Sequence, residues 1–131
     1  DGHDVAFLAN GETVVHALLA AANLADAGIA ARVVSVHTVK PLDLSTVLAT
    51  GRDCRVVITV EEHMVHGGLG EAVAAALLTA GLKPAFRSVG IPDEDTVTGA
   101  QADIFRHYGI SMERLAATAR ELLKGRTSGS C

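Results

Sequence analysis

The segment over residues 56–76 constrains the fold of this chain more than any other part of the sequence. It opens with an apolar, mostly β-branched run at residues 56–60, which is typical of a buried strand. Two acidic residues and the glycine-rich turn Gly67-Gly68-Leu69-Gly70 then lead into an alanine-rich stretch with helical spacing. A strand, a tight turn and a helix in this order form the repeating unit of a parallel α/β sheet. We therefore predict an α/β fold.

The rest of the chain repeats this alternation of short apolar runs and amphipathic stretches. Four strands are predicted, at residues 5–8, 32–36, 54–60 and 85–89. Five helices are predicted, at residues 14–25, 43–51, 71–80, 98–109 and 112–123. Asp43 should cap the second helix and Gly51 should end it, whereas Gly28 and Gly81 should end the first and third helices. Strands separated by helices of this length require a mainly parallel sheet that helices cover on both faces.

Length and composition exclude several classes of protein. With 131 residues, 49 % hydrophobic and 20 % charged, the chain can form one domain with a real core, and it is not a disordered chain. A net charge of −4 and an aromatic content of 3 % argue against nucleic-acid binding. No apolar window approaches the roughly 18 to 20 residues of a membrane span. Two cysteines cannot build a disulfide framework, which favours a reducing, cytoplasmic setting.

The two ends of the sequence point to a domain with a neighbour. The chain starts at Asp1 without a methionine, so we expect it to continue from a preceding segment. Residues 125–131 have the composition of a linker and are expected to form a disordered tail. The predicted domain therefore covers residues 1–124.

A polar and glycine-rich cluster after the third predicted strand is the candidate functional site. It comprises Glu62, His63, His66, Gly67, Gly68 and Gly70. Parallel α/β proteins place ligands or neighbouring domains at the carboxyl edge of the sheet, so we expect these residues at a domain or subunit interface. The acids and histidines could also ligate a metal, but no Cys-x-x-Cys or His-Glu-x-x-His motif accompanies them.

The glycine turn has two possible roles. It could cradle a phosphate, because free backbone donors at a helix N-terminus favour anions. Against this, Val73 stands where a dinucleotide motif needs its third glycine, and the carboxylate of Glu71 would compete for the same helix end. The favoured interpretation is that Gly68 and Gly70 adopt positive φ and let the chain pass close to the sheet or to a partner.

Five segments of the sequence are informative through the identity of their residues and not through periodicity. The segments are Gly-Glu-Thr-Val at 11–14, Val-Ser-Val-His-Thr-Val-Lys-Pro-Leu-Asp at 34–43, the stretch from Val-Glu-Glu-His to the last glycine at 60–70, Gly-Ile-Pro-Asp at 90–93 and Tyr-Gly-Ile-Ser at 108–111. In this order and spacing they resemble the carboxy-terminal domain of the transketolase family. His63 after the glutamate pair and the Tyr-Gly-Ile-Ser segment look most like the second subunit of split transketolases.

The resemblance implies a three-layer α/β/α fold with a five-stranded, mostly parallel sheet and one antiparallel edge strand. Only four strands are visible in the sequence, so a fifth would lie near Ile91 or escape the pattern. The family's thiamine diphosphate motif, Gly-Asp-Gly followed by Asn, is absent, as are the Gly-x-Ser-x-Gly and Walker motifs. No catalytic, cofactor-binding or metal-binding residue is therefore predicted in this chain.

In function, the resemblance implies a structural and assembly domain of an enzyme that uses thiamine diphosphate and Mg²⁺. That enzyme would transfer a two-carbon ketol unit between sugar phosphates. Its diphosphate-binding and pyrimidine-binding domains or subunits would be the partners, in a homo-oligomer or heterotetramer. Similar sequence segments occur in deoxyxylulose phosphate synthase and in 2-oxo acid dehydrogenase beta subunits, which remain alternatives. A free-standing α/β binding module without enzyme activity is the alternative from another class.

Overall fold

The computed structural model describes residues 3–11, 13–36, 43–64, 68–92 and 111–128, with the backbone alone at 62–64, 91–92 and 126–128. Within these residues four strands alternate with helices. The strands are β1 (Val5–Ala9), β2 (Ala31–Ser35), β3 (Val56–Met64) and β4 (Ala85–Pro92). The helices are α1 (Thr13–Asp26), α2 (Leu44–Asp53), α3 (Leu69–Thr79) and α4 (Met112–Ser128). The predicted α/β class is confirmed.

The sheet has the strand order β2-β1-β3-β4, and every pair of neighbours is parallel. The chain moves outward from β1 to β2, and then crosses back over β1 to form β3 and β4 on its other side. The antiparallel fifth strand of the prediction is not among the described residues. Ile91, the position considered for it, belongs to β4, which runs to Pro92.

Helices cover both faces of the sheet, as the alternation of side chains along the strands requires. Val5, Phe7 and Ala9 of β1 point to one face, where buried residues of α1 and α4 complete the cluster. Ala6 and Leu8 point to the other face, where α2 and α3 pack. All five residues of β1 are fully buried, which makes β1 the centre of the core. The result is the three-layer α/β/α arrangement.

Most element boundaries agree with the prediction. Asp43 caps α2 by accepting a hydrogen bond from the backbone N–H of Thr46 at 3.2 Å. Gly28 and Gly81, which follow α1 and α3, have φ values of 81° and 76°, in the left-handed region that favours glycine. The helix predicted at residues 98–109 lies outside the described residues.

The predicted ends of two strands and two helices were wrong. Strands β3 and β4 continue to Met64 and Pro92, beyond the predicted ends at 60 and 89. Helix α2 continues through Gly51 to Asp53, so this glycine does not end the helix. It lies instead against α3, where a Cβ at this position would overlap the Leu77 side chain. Helix α4 continues to Ser128, into the segment expected to be a disordered tail from Gly125. The glycine in this segment does not break the helix, since one glycine in a helix costs only about 1 kcal/mol.

Candidate functional site

The carboxyl edge of β1 and β3 is the place where this topology can form a site. The two strands are neighbours, yet β1 leads into α1 on one face of the sheet and β3 leads into α3 on the other. In open α/β sheets, ligands bind in the crevice that such a reversal creates. Two strand-to-helix connections therefore decide what this edge can do.

The β3–α3 connection is closed by a buried carboxylate. Glu61 is only 3 % exposed. Its Oε1 accepts a hydrogen bond from the backbone N–H of Leu69 at 3.0 Å, and its Oε2 accepts one from Gly70 at 2.9 Å. These are first-turn donors of α3, which no carbonyl within the helix can reach. Glu61 is thus an internal anion placed at the positive end of a helix.

This arrangement decides the question of a phosphate cradle at α3. A phosphate would need the same backbone donors that the two oxygens of Glu61 already engage. The start of α3 cannot hold a phosphate while this carboxylate is in place. The sequence argument named Glu71 as the competing acid, but the acid that takes the helix end comes from the preceding strand.

Gly70 shows why a glycine is needed next to this carboxylate. A Cβ at Gly70 would overlap the hydroxyl oxygen of Ser88 in β4, and would lie 2.9 Å from Ser88 Cβ and 3.2 Å from Thr59 Oγ1. The Thr59 hydroxyl in turn donates to Ser88 Oγ at 3.2 Å. The prediction that glycine permits a close approach to the sheet is confirmed at this position.

The expected positive φ at Gly68 and Gly70 is wrong. Gly68 has φ −74° and ψ −174°, an extended conformation that any residue adopts, and Gly70 lies inside α3. Among the described residues, the positive-φ positions are Gly11, Gly28 and Gly81. Glycine serves this turn through its missing side chain and not through a left-handed backbone.

The β1–α1 connection is closed by a hydroxyl. Thr13, the first residue of α1, is fully buried, and its hydroxyl proton is shared between the carbonyl oxygens of Asn10 and Val60, the latter at 3.1 Å. The backbone N–H of Asn10 also donates to the Val60 carbonyl, at 3.2 Å. Thr13 therefore joins the residue after β1, the start of α1 and the middle of β3.

The structure describes four of the six predicted site residues, two of them by their backbone alone. Glu62 and His63 belong to the last part of β3, and Gly68 and Gly70 begin α3. The side chains of Glu62 and His63 lie outside the described residues, as do His66 and Gly67. Among the side chains that the structure does describe, no group of three or more His, Cys, Asp or Glu could hold a metal ion.

Sequence reasoning missed Glu61 and Thr13 as the residues that organise the edge. The signal for Glu61 was an acid at a strand end, eight residues before the first helical N–H that it binds. The signal for Thr13 was weaker, because its acceptor Val60 lies 47 residues away in sequence.

In the described part of the chain, no helix is both long and apolar enough to cross a membrane.

The fold and this edge define a three-layer α/β domain in which the buried side chains of Glu61 and Thr13 bind backbone groups at the carboxyl edge of the sheet. Residues 1–115 match the family described as "Transketolase, C-terminal domain". The chain therefore belongs to the transketolase family as a C-terminal domain, which confirms the resemblance seen in the sequence.

Relatives include two of the enzyme classes that the sequence resembled. One of the subunits of an apulose-4-phosphate transketolase, from Phocaeicola vulgatus, is 41 % identical over 95 % of this chain, which corresponds to 39 % of that protein. The 1-deoxy-D-xylulose-5-phosphate synthase of Thermomicrobium roseum is 41 % identical over 89 % of this chain, but over only 19 % of its own length.

A solved structure gives the same result for the fold. The protein described as "Split gene transketolase, inactive beta4 tetramer" matches 95 % of this chain and 39 % of its own chain, with a TM-score of 0.80 and 35 % identity. The present chain thus spans about two fifths of a split transketolase subunit and about one fifth of a deoxyxylulose phosphate synthase.

Proposed function

We propose that this chain is the C-terminal structural and assembly domain of a thiamine diphosphate-dependent transketolase-type enzyme. The enzyme transfers a two-carbon ketol unit between sugar phosphates. The observation that carries the proposal is the 41 % identity, along nearly the whole chain, to one of the subunits of a transketolase. The bonds that Glu61 and Thr13 make at the carboxyl edge support a structural role, because these side chains engage backbone groups of the edge that a ligand could otherwise use.

Thiamine diphosphate and Mg²⁺ belong to the complete enzyme and not to this domain. The described residues do not fit these groups: the donors at the start of α3 are engaged by Glu61, and no described carboxylate cluster suits a metal ion. We propose that diphosphate-binding and pyrimidine-binding domains or subunits of the same enzyme hold them. No step of the reaction is assigned to a residue of this chain.

Assembly is the proposed contribution of the carboxyl edge. Glu62, His63, His66 and the glycine turn would meet the pyrimidine-binding domain or a second subunit, in a cytoplasmic homo-oligomer or heterotetramer. Support comes from two relatives, of which the first is named as part of a multi-subunit transketolase and the other is a beta4 tetramer. The chain's low aromatic content and net charge of −4 make a nucleic-acid partner a poor fit.

The second candidate function is the same domain in a deoxyxylulose phosphate synthase. The specific observation in its favour is the relative that is 41 % identical over 117 residues. A 2-oxo acid dehydrogenase beta subunit and a free-standing binding module are the remaining alternatives. The coding sequence upstream of Asp1 tests these alternatives, because a free-standing module predicts no enzyme domain there, and because the matched subunit and the matched synthase differ in how much of their length lies outside the match.

Calorimetry with thiamine diphosphate and Mg²⁺ tests the assignment of the cofactor. The 131-residue chain should give no saturable heat, whereas the same chain joined to its diphosphate-binding and pyrimidine-binding partners should bind. Micromolar binding to the chain alone would overturn the proposal. A complete enzyme that forms 1-deoxy-D-xylulose 5-phosphate, but does not transfer ketol units between sugars, would instead favour the synthase.

The interface role of the two histidines has its own test. Replacing His63 and His66 by Ala should weaken assembly of the complete enzyme and leave the melting of this domain nearly unchanged, because interface hydrogen bonds contribute only ~0.5 to 1.5 kcal/mol each. Activity measured across protein concentration reads this directly. A loss that high concentration restores supports an interface. A loss that persists in fully assembled enzyme would place these histidines at the active site.

A further inference from the structure

Helix α1 carries apolar residues on the side that faces solvent as well as on the side that faces the sheet. The sheet side is buried at Thr13, Ala17, Ala20 and Leu24. On the solvent side, Val15, Leu18 and Leu19 are 58, 54 and 49 % exposed, and Ala22 is exposed as well. These four residues have the spacing i, i+3, i+4, i+7, which makes one continuous row on a helix. We call this row the α1 stripe.

The α1 stripe lies on a helix without charges. Residues 13–25 contain no Asp, Glu, Lys or Arg. The neighbouring helix α4 is different, because its exposed positions include Glu113, Arg114, Arg120, Glu121 and Lys124. A helix that is apolar all round is normally buried on all sides. The outer side of α1 therefore has the composition of an interface, although none of the described residues covers it.

The spacing of the α1 stripe makes it complementary to itself. Val15 and Ala22 lie equally far from the point between Leu18 and Leu19. When two copies of α1 pack antiparallel about a two-fold axis through that point, the larger Val15 of each copy meets the smaller Ala22 of the other. The leucines of the two copies interdigitate at the centre. We propose that the α1 stripe is a two-fold contact between two copies of this chain.

Self-complementarity and size both favour a second copy as the occupant. A two-fold contact uses the same patch on both copies, so the patch must fit itself and must not bring like charges together. The α1 stripe meets both conditions. It is also narrow, because Arg120 of α4 donates to Asn23 Oδ1 at 3.1 Å along one side of α1 and so gives the contact a polar rim.

The dimensions of α1 set the expected strength of the contact. A helix of 14 residues is about 21 Å long, and a strip about 10 Å wide covers on the order of 200 Å² per copy. Stable interfaces bury about 800 Å² per partner, and interfaces between domains of one chain are also larger than this strip. The contact should therefore be weak, with a dissociation constant of about 0.1 to 1 mM for the 131-residue chain.

Sedimentation velocity at rising protein concentration, up to about 1 mM, tests the contact. The wild type should form dimers, and Leu18→Lys should raise the dissociation constant at least roughly tenfold, because a charged side chain would be placed at the centre of the contact. The matched control is Leu78→Lys. Leu78 is 76 % exposed on α3, on the other face of the sheet, and shares the outer side of that helix with Glu71 and Thr79. This variant should dimerise like the wild type.

A pair of new charges tests the antiparallel arrangement. Val15→Glu and Ala22→Lys should each weaken the dimer, but the double variant should recover it, because each new carboxylate then faces a new ammonium group of the other copy. Within one helix the two positions are about 10 Å apart, too far for a pair of their own. The recovered dimer should weaken with added salt. A double variant that associates no better than the single ones would overturn the proposed arrangement.

Three other results would also overturn the proposal. The first is a wild-type chain that stays monomeric at about 1 mM. The second is an equal loss for Leu18→Lys and Leu78→Lys, which would indicate non-specific association. The third is a monomeric chain whose binding to the rest of the enzyme is weakened by Leu18→Lys, which would make another domain the occupant. Melting curves establish that each variant is folded, and should Leu18→Lys not fold, the double variant decides. The proposed function is not needed here, since α1 lies on a face of the sheet and not at its carboxyl edge.

Discussion

The two strand-to-helix connections at the carboxyl edge solve the same problem with different chemistry. Between β1 and α1, the neutral Thr13 hydroxyl donates to the carbonyl oxygens of Asn10, directly after β1, and of Val60 within β3. Between β3 and α3, the carboxylate of Glu61 accepts from two N–H groups at a helix start. The first connection satisfies acceptors and the second satisfies donors.

Glycine also has a different purpose in each connection. Gly11, before α1, has φ 60°, so it is there for a backbone conformation that other residues rarely adopt. Gly68 and Gly70, before and in α3, have no such φ; Gly70 is there because a Cβ would overlap Ser88. A glycine can thus be required because the backbone conformation is strained for other residues, or because a side chain would not fit. Substitutions at the individual glycines distinguish these two causes.

The largest expected effect is at Gly70. Gly70→Ala should lower the free energy of unfolding by about 2 to 3 kcal/mol, because the new methyl group must displace the side chain of Ser88 in β4. Chemical denaturation of the 131-residue chain measures this loss. The matched second change is Ser88→Gly, which removes the atoms that the methyl group would meet.

The double variant tests the cause. Ser88→Gly alone weakens a strand, but combined with Gly70→Ala it should recover at least about 1 kcal/mol relative to the sum of the single effects. Strictly additive losses would show that the Gly70 backbone, and not the contact with Ser88, is what requires glycine. The proposed contrast, in which glycine is required for backbone conformation before α1 and for packing in α3, would then be wrong.

The next effect concerns the hydroxyl of the first connection. Thr13→Val keeps the shape of the side chain and removes the shared proton. Both carbonyl oxygens keep a second partner, since Val60 still accepts from Asn10 N–H and Asn10 from the N–H of residue 13. The expected loss is therefore at the lower end for a buried hydrogen bond, about 1 to 2 kcal/mol. Thr13→Ser retains the hydroxyl and is the control; if it loses more than Thr13→Val, the methyl group and not the hydroxyl holds this connection.

The alternation of elements could be predicted because periodicity is a local property of the sequence. Strand length was less accessible. The acids at 61 and 62 were taken as the end of a strand, but β3 continues to Met64 with an irregularity between Glu61 and Met64, where pairing with β4 shifts register. Gly51 was taken as a helix end, but the side chain that requires a glycine there, Leu77, is 26 positions further along the chain.

The strand and the helix that flank the candidate site were predictable, but the contacts between them were not. The third strand and the third helix were identified from local pattern, and the structure confirms both elements, whereas the interface role of the six candidate residues stays a prediction. The role of Glu61 was not identified, because a carboxylate that binds backbone donors eight and nine residues later depends on the path between them. Side-chain to backbone bonds of this kind leave no periodic signal. The expectation of a positive φ at Gly68 was wrong for a related reason: the presence of a glycine permits a positive φ but does not show that the backbone adopts it.

A smaller effect separates the glycines themselves. Gly11→Ala should cost about 1 kcal/mol, because an alanine at φ 60° is strained, whereas the backbone of Gly68 at φ −74° accepts alanine without strain. Thermal melting of the two single variants provides the comparison. Equal losses would mean that Gly68 is also constrained by packing, and would move it into the same class as Gly70.

The smallest effect sharpens the contrast between a buried and an exposed helix-capping carboxylate. Asp43 caps α2 as Glu61 caps α3, but it is exposed to solvent. Hydrogen bonds from the side chain and backbone of Thr46, and from Ser45, lower the pKa of Asp43. A carboxyl whose pKa is lower in the folded state stabilises the fold above its ordinary pKa, and this contribution is lost as the pH falls through the lowered value.

Asp43→Ala should therefore melt slightly below the wild type at pH 7, and the difference should shrink below about pH 4. Asp43→Asn keeps a capping oxygen without the charge, so its difference from the wild type should be smaller at pH 7 and should shrink over the same pH range. A deficit of Asp43→Ala that stays constant down to the lowest pH at which the chain is folded would show that the charge of this cap is irrelevant, and that the exposed and buried carboxylates differ in kind and not only in degree.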